Sequence, residues 1–378
     1  TDDGDHWQSL RLNLPPSSIR DLVLHGDDVV VGTHGRSFWI LDNVTPLRQL
    51  TDPVIASAAY LFAPQVTYRI RRNNSTDTPL PPEISAGQNP PDGTMIDYWL
   101  KSASSDEVSL EIFDSSGKLV RRFSSVDKSD APDPKGLNVP AYWIRPERTV
   151  STAAGMHRFV WDLHYPPPAA LDRDYPISAI FQDTPLYPLG ASVVPGTYTV
   201  KFTAGGKSYT QPLTIKMDPR VKTSADDLQV QFNLEMKIVD AMKRDYDALM
   251  QIRSLRAKLK ELRPSVDAKA QAGIDNLEQN VTVVEGATAE YGATYLSTPV
   301  GRSLEHLNSG LASLLAAVDS ADTAPTTQSV ATFAEVERAL EEQLKRWGEI
   351  QSKDLPALNQ QLKQAGVAEI RLPGERAK

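Results

Sequence analysis

The 378-residue sequence contains no cysteine. That excludes disulfides, thiolate metal sites and cysteine nucleophiles. No apolar run approaches the ~18–20 residues that cross a bilayer as a helix, so no membrane span is expected. Basic residues are outnumbered, 40 Lys and Arg against 48 Asp and Glu, and the net charge is −8. No Lys/Arg run breaks that balance, so nucleic acid is not an expected partner. Neither a G-x-S-x-G elbow nor a phosphate loop occurs. No catalytic residue and no cofactor is expected from motifs.

What is present falls into three textures. Residues 1–50 carry short apolar runs between Gly/Asp turns: "HWQSLRL", "IRDLVL", "VVVGT" and "SFWILD". This is a meander pattern. "TPLRQL" follows as a connecting helix, with Thr45 at the N-cap and Pro46 in its first turn. Residues 51–220 hold most of the 28 prolines and a second set of strand candidates: "TMIDYWL", "EVSLEIF", "KLVRRFSS", "MHRFVWDLHY", "GTYTVKFTA" and "KSYTQPLTIKM". Asp114–Gly117 and Gly205-Gly206 supply hairpin chemistry. Tyr198, Val200 and Phe202 alternate onto one face. Strands of this kind predict an antiparallel β-sandwich of immunoglobulin or fibronectin type, interrupted by long polar loops near 73–93 and 165–192.

Residues 221–378 change period. Leu228, Phe232, Met236, Val239, Met242, Tyr246, Leu249, Ile252, Leu255, Leu259 and Leu262 recur at steps of three and four, which predicts one helix with a single apolar stripe. Pro264 ends it. Further helices are expected over 265–287, after Pro299, over 329–352 and over 354–365, the last closed by Gly366. One-sided stripes with short connections predict an antiparallel helical bundle. The expected fold class is thus multidomain: an all-β part, then an all-α bundle.

The chemistry-bearing residues are sparse. "TDDGDHW" spells D-x-G-x-x-W through Asp2, Gly4 and Trp7. The carboxylate is suited to accept backbone N–H groups within its own turn, Gly to supply the turn's backbone and Trp to pack beneath it. These roles are structural. "THGR" places His34 and Arg36 as candidate ligand contacts, against a plainer role as a tight turn in which Arg36 pairs with an acid. Tyr142 and Trp143, flanked by Pro140 and Pro146, form a candidate sugar-stacking platform. Trp99 and Trp161 lie mid-strand and are expected in the core. His157 and His164, placed in one strand seven residues apart, face opposite sides. Asp162 and His164 share a face, but two ligands do not make a metal site, so no metal is expected.

The Asp2–Trp7 turn resembles the Asp-box of bacterial neuraminidase repeats. "VVVGTHGRSFWILDN" resembles the final blade of sortilin-type and Asp-box β-propeller proteins. "TPLRQL", "NPPDGTMIDYWL", "GMHRFVWDLHYP" and "VVPGTYTVKFT" resemble the sandwich that follows the propeller in large bacterial members. The resemblance spans nearly the whole chain and carries architecture, not catalytic residues. It implies a last propeller blade in residues 1–50, a sandwich in 51–220 and a bundle in 221–378. Because an Asp-box joins two strands within a blade, it also implies further blades upstream of Thr1, the chief partner of this chain, and unpaired strand edges here.

The function implied is non-catalytic: ligand binding or scaffolding within a secreted or periplasmic protein, with a glycan or a protein as ligand. The alternative is the accessory end of a sialidase- or xyloglucanase-like glycoside hydrolase whose catalytic groups lie in the upstream blades. A carbohydrate-binding role for the sandwich itself is a third option.

Overall fold

The computed structural model describes residues 4, 5, 7, 9, 10, 12–71, 81, 83, 84, 87, 89–128, 136–145, 149–176, 183–286 and 302–372. The chain is multidomain and mixes strands with helices.

An antiparallel sheet forms first, from β1 (Ile19–His25), β2 (Asp28–Thr33) and β3 (Phe38–Leu41) in the order β1-β2-β3. Gly26, at φ 62°, makes the tight β1–β2 turn, a conformation that costs glycine nothing. No strand precedes Ile19 among the described residues, so "HWQSLRL" does not supply the expected outer strand. Leu12 there has φ 47°, and Pro15-Pro16 offers no N–H to a ladder. Asn43 then turns the chain at φ 53°. Its side-chain oxygen accepts from the Thr45 backbone N–H at 3.1 Å. It thereby replaces Thr45 as the residue that organises α1 (Thr45–Gln49), whose N-cap position is Val44. A second short helix, α2 (Asp52–Ala56), follows.

Eight strands build the next region: β4 (Ala59–Leu61), β5 (Thr67–Arg69), β6 (Thr94–Leu100), β7 (Ser109–Phe113), β8 (Leu119–Ser124), β9 (Gly155–Trp161), β10 (Gly196–Ala204) and β11 (Lys207–Met217). They form a five-stranded sheet, β5-β11-β10-β7-β8, and a three-stranded sheet, β4-β6-β9. All pairs are antiparallel except β5 with β11. The hairpin turns fall where expected. Gly205 and Gly206 both have positive φ, and Asp114 Oδ1 accepts the backbone N–H groups of Ser116 and Lys118 at 2.9 and 3.0 Å. Both sheets contribute to one core, with Ile96, Tyr98 and Trp161 from one, and Ile112, Val200 and Phe202 from the other. The Tyr98 and Phe202 rings meet across it at 4.7 Å. Burying each such side chain contributes roughly 1.5–3 kcal/mol. The region before Asp218 is not all-β, however. α1, α2 and a 3₁₀ turn at Ala141–Trp143 interrupt the strands.

The long helices follow: α3 (Ala225–Leu262), α4 (Ala268–Glu285), α5 (Leu304–Val318), α6 (Thr327–Glu349) and α7 (Leu355–Gln364). Ser224, Asp267 and Thr326 cap three of their N-termini with side-chain oxygens, satisfying otherwise orphaned N–H groups. Pro264 closes α3 through a 3₁₀ turn, as expected. α6 and α7 are not separate helices: a π-helical turn, Ile350–Asp354, joins them. Pro356 has no N–H to give the Ser352 carbonyl, and the widened turn accommodates that loss.

The α3 stripe also differs from expectation in its first half. Phe232, Met236 and Val239 are only half-buried, whereas Gln231, Leu234, Glu235, Ile238 and Asp245 are buried. Two faces of α3 are covered. One faces the other helices. The other meets the β region, where Tyr165 packs on Phe232 with ring centroids 5.4 Å apart.

Candidate functional site

The Asp-box turn is open to solvent. Asp2 lies outside the described residues. Gly4 has φ 102°, and the Trp7 indole N–H donates to the Gly4 carbonyl at 2.9 Å. Trp7 is 88% exposed, so it closes its own turn but does not pack beneath a hairpin as expected. Among the described residues no strand precedes Ile19 for it to pack against.

His34 and Arg36 sit on the turn between β2 and β3. His34 N–H donates to Ser18 O at 2.9 Å, Thr33 Oγ1 to Ser37 O at 2.6 Å and Trp39 Nε1 to Arg36 O at 2.9 Å. Gly35 and Ser37 both have positive φ. This is a tight turn pinned by backbone carbonyls. Both candidate side chains are exposed, and among the described residues no acid pairs with Arg36. Among the described residues no layer covers either face of the sheet that carries them. Leu22 and Leu24 point to one side of β1 and Val23 to the other, all at least half exposed, and Phe38 on β3 is 77% exposed.

Tyr142 and Trp143 do not form a platform. They occupy the 3₁₀ turn, where Trp143 is 8% exposed and packs with Val139 and Tyr175 in a small separate core. Their rings stand edge to face. Pro140, at φ −59°, precedes the turn but does not lift it into solvent. Trp161 is fully buried as expected, and Trp99 half-buried.

The histidines separate because β9 ends at Trp161 and Leu163 turns the chain at φ 61°. Among the described residues no group of three His, Asp or Glu is placed to hold a metal. His164 instead enters a polar seam that sequence reasoning missed. Its Nδ1 lies 2.6 Å from the Asp162 carbonyl oxygen and its Nε2 3.2 Å from Ser192 Oγ. The order Ser-His-Asp has the outline of a hydrolase triad, but the chemistry does not follow. The Asp162 carboxylate is 4.0 Å away, the Ser192 hydroxyl also donates to Asp319 at 3.2 Å, and Ser192 is buried. A nucleophile must be within reach of a substrate.

The seam is where the β region meets the helices. Arg69 donates to Val193 O at 2.7 Å and to Asp322 Oδ1 at 2.6 Å. Arg71 reaches Asp322 and Asp319, each at 2.7 Å. Burial disfavours the Arg71 charge, but Asp319 and Asp322 outweigh it and its pKa rises. Gln231 Nε2 donates to the Val318 and Ala321 carbonyls at 2.8 Å. Buried beside these lies Glu235, whose pKa burial pushes up to about 8. Further along α3, burial pushes Asp245 to about 8 as well.

The signals were present in sequence: Arg69 at the end of β5 with Arg71 two residues on, and polar residues at core-facing steps of α3. An apolar scan passes over both. No protein-family model matches the chain, and no curated protein does.

Proposed function

We propose that this chain is the C-terminal portion of an Asp-box, sortilin-type propeller protein, and that it acts without catalytic groups of its own, as a scaffold or ligand-binding end. In this reading β1–β3 belong to the last blade, the paired sheets are an immunoglobulin- or fibronectin-like sandwich, and the helices form a bundle that the seam fixes to it. The protein is secreted or periplasmic. The observation that carries the proposal is the β1–β3 sheet, which exposes apolar side chains on both faces. Soluble proteins rarely leave a sheet so uncovered, and neighbouring blades would cover it. The open β1 edge invites a further strand.

The test compares the gene product that includes sequence upstream of Thr1 with the Thr1–Lys378 chain, by amide hydrogen exchange over residues 19–41. Protection of β1–β3 only in the longer product is expected. Equal exchange in both overturns the blade assignment. A glycan panel run on both proteins separates the roles. Cleavage by the longer product alone makes this chain the accessory end of a hydrolase, and cleavage by the chain itself overturns the non-catalytic reading.

A further inference from the structure

The end of α4, the start of α5 and the C-terminal half of α6 meet around an open cavity of about 480 Å³. That size suits a small molecule. Gly286 closes α4 at φ 108°, and a methyl group there would stand 2.5 Å from Ser303 Oγ. The missing side chain is what lets the two helix ends lie together. Ser303 is the N-cap of α5, and its carbonyl accepts the Leu307 N–H at 2.9 Å. Its hydroxyl is engaged with His306 Nδ1 at 2.8 Å and caps no backbone N–H. The Leu304, Glu305 and His306 N–H groups at the head of this 15-residue helix are thus left without a side-chain cap, at the end where the helix dipole is positive.

The other lining groups are donors too. Arg346 is exposed on the cavity wall and pairs with no acid among the described residues. Arg302 meets Glu342 only loosely, at 3.7 Å. Gln343 also lines the cavity and is 4% exposed. Its Oε1 is sealed from solvent without a partner. Its Nε2 makes no hydrogen bond among the described residues either, yet it is not sealed, so the amide turns its donor end to the open side. A buried amide left unpaired costs free energy that a bound acceptor would restore. Glu285 and Glu305, which adjoin the lining residues Gly286 and His306, are drawn away to α3. They pair there with Arg256 at 2.7 Å and Arg253 at 3.0 Å.

We propose that this cavity binds a phosphate group, free or esterified to a small organic molecule. Arg302 and Arg346 supply the charge, and the Gln343 amide and the first-turn N–H groups of α5 supply directed donors. With the Ser303 hydroxyl donating to Nδ1, the His306 ring carries its proton on Nε2 and adds another donor. This set exceeds what the two oxygens of a carboxylate take up, whereas a phosphate presents at least three strong acceptor oxygens. The site lies wholly within the helices and is independent of the blade reading.

The test is equilibrium dialysis of the full chain against inorganic phosphate, glycerol 3-phosphate and citrate, each at neutral pH and constant ionic strength. Saturable uptake of one phosphate or one phosphate ester per chain is expected. Tighter uptake of the ester identifies an organic ligand, and tighter uptake of inorganic phosphate identifies the free ion. Arg346→Gln should weaken binding by at least about tenfold and leave the Tm unchanged, since the side chain is exposed and unpaired. Gln343→Leu should also weaken binding while retaining or raising the Tm, because it removes an unpaired buried amide. Lys345→Gln removes the same charge from an exposed position on α6 outside the cavity lining and should bind as the wild type does. Absence of saturable uptake of both phosphates, citrate bound as tightly as either, or an equal loss in Lys345→Gln and Arg346→Gln overturns the site.

Discussion

The β1–β3 sheet and the paired sheets of residues 59–217 are written in similar residues and are buried to opposite degrees. "VVVGT" and "FWIL" are as apolar as "TMIDYWL" and "SLEIF". Yet every residue of β1 is exposed, whereas β6 is buried along almost its whole length. The difference lies in the neighbours. β6 has strands on both sides and a second sheet across the core. Among the described residues β1 has one partner strand and no opposing layer. Strand composition states that a layer is wanted, and only tertiary structure supplies it. A lone three-stranded sheet is marginal in water, so the two regions should respond very differently to the same kinds of substitution.

Glycine substitutions separate them most widely. A methyl group on Gly93 would lie 2.0 Å from the Trp161 carbonyl oxygen, at a backbone φ of 126°. Gly93→Ala must displace the end of β9, and loss of the folded β region is expected, read as loss of the near-ultraviolet aromatic signal. Gly26, in the open sheet, also has positive φ but meets nothing within 4 Å. Gly26→Ala should cost only the backbone penalty of about 1–2 kcal/mol. If the two variants melt alike, the contrast in packing is not what governs stability. Next in size is Trp161→Ala. Its ring is fully buried between the sheets, and about 3–5 kcal/mol should be lost in denaturant unfolding.

Ion pairs give a finer comparison. Arg69 and Asp322 are both nearly inaccessible, whereas Arg48 and Asp27 pair on the surface beside the open sheet. Arg69→Ala leaves Val193 O and the buried Asp322 short of a donor, and about 3 kcal/mol is expected to be lost. Arg48→Ala should change stability by under about 1 kcal/mol, and less at high salt. Denaturation of both variants at two salt concentrations checks this. Equal losses would mean that the seam is no more than a surface contact.

How much of this was legible follows the same division. Turns whose chemistry is local were readable: Asp114–Gly117, Gly205-Gly206 and the stop at Pro264 depend on backbone geometry that the residue itself dictates. The apolar periods gave the helices and the Tyr198–Phe202 face. What failed was non-local. Trp143 looked exposed between two prolines, because nothing nearby in sequence shows Val139 and Tyr175 closing over it. The break expected between 352 and 354 is instead a π turn, Ile350–Asp354, that keeps the helix continuous. Glu235 and Asp245 carry no apolar signal, so a scan for a hydrophobic stripe passes over them, although both are buried. The candidate contacts His34 and Arg36 lie on a tight turn, as the plainer reading had it, and both side chains are exposed.

The smallest expected effects lie in that sheet, and they sharpen the comparison because they should depend on length of chain. Phe38 and Leu24 are well exposed. In the Thr1–Lys378 chain, Phe38→Ser and Leu24→Ser should each shift stability by no more than about 0.5 kcal/mol. If upstream blades cover the sheet, the same substitutions in the longer product remove buried area and should each cost roughly 1.5–3 kcal/mol. The measurement is the denaturant midpoint of each variant in both contexts. A length-dependent cost places the missing layer in the upstream chain. Insensitivity in both contexts leaves the sheet uncovered in the whole protein, and its apolar faces would then have to serve a separate partner.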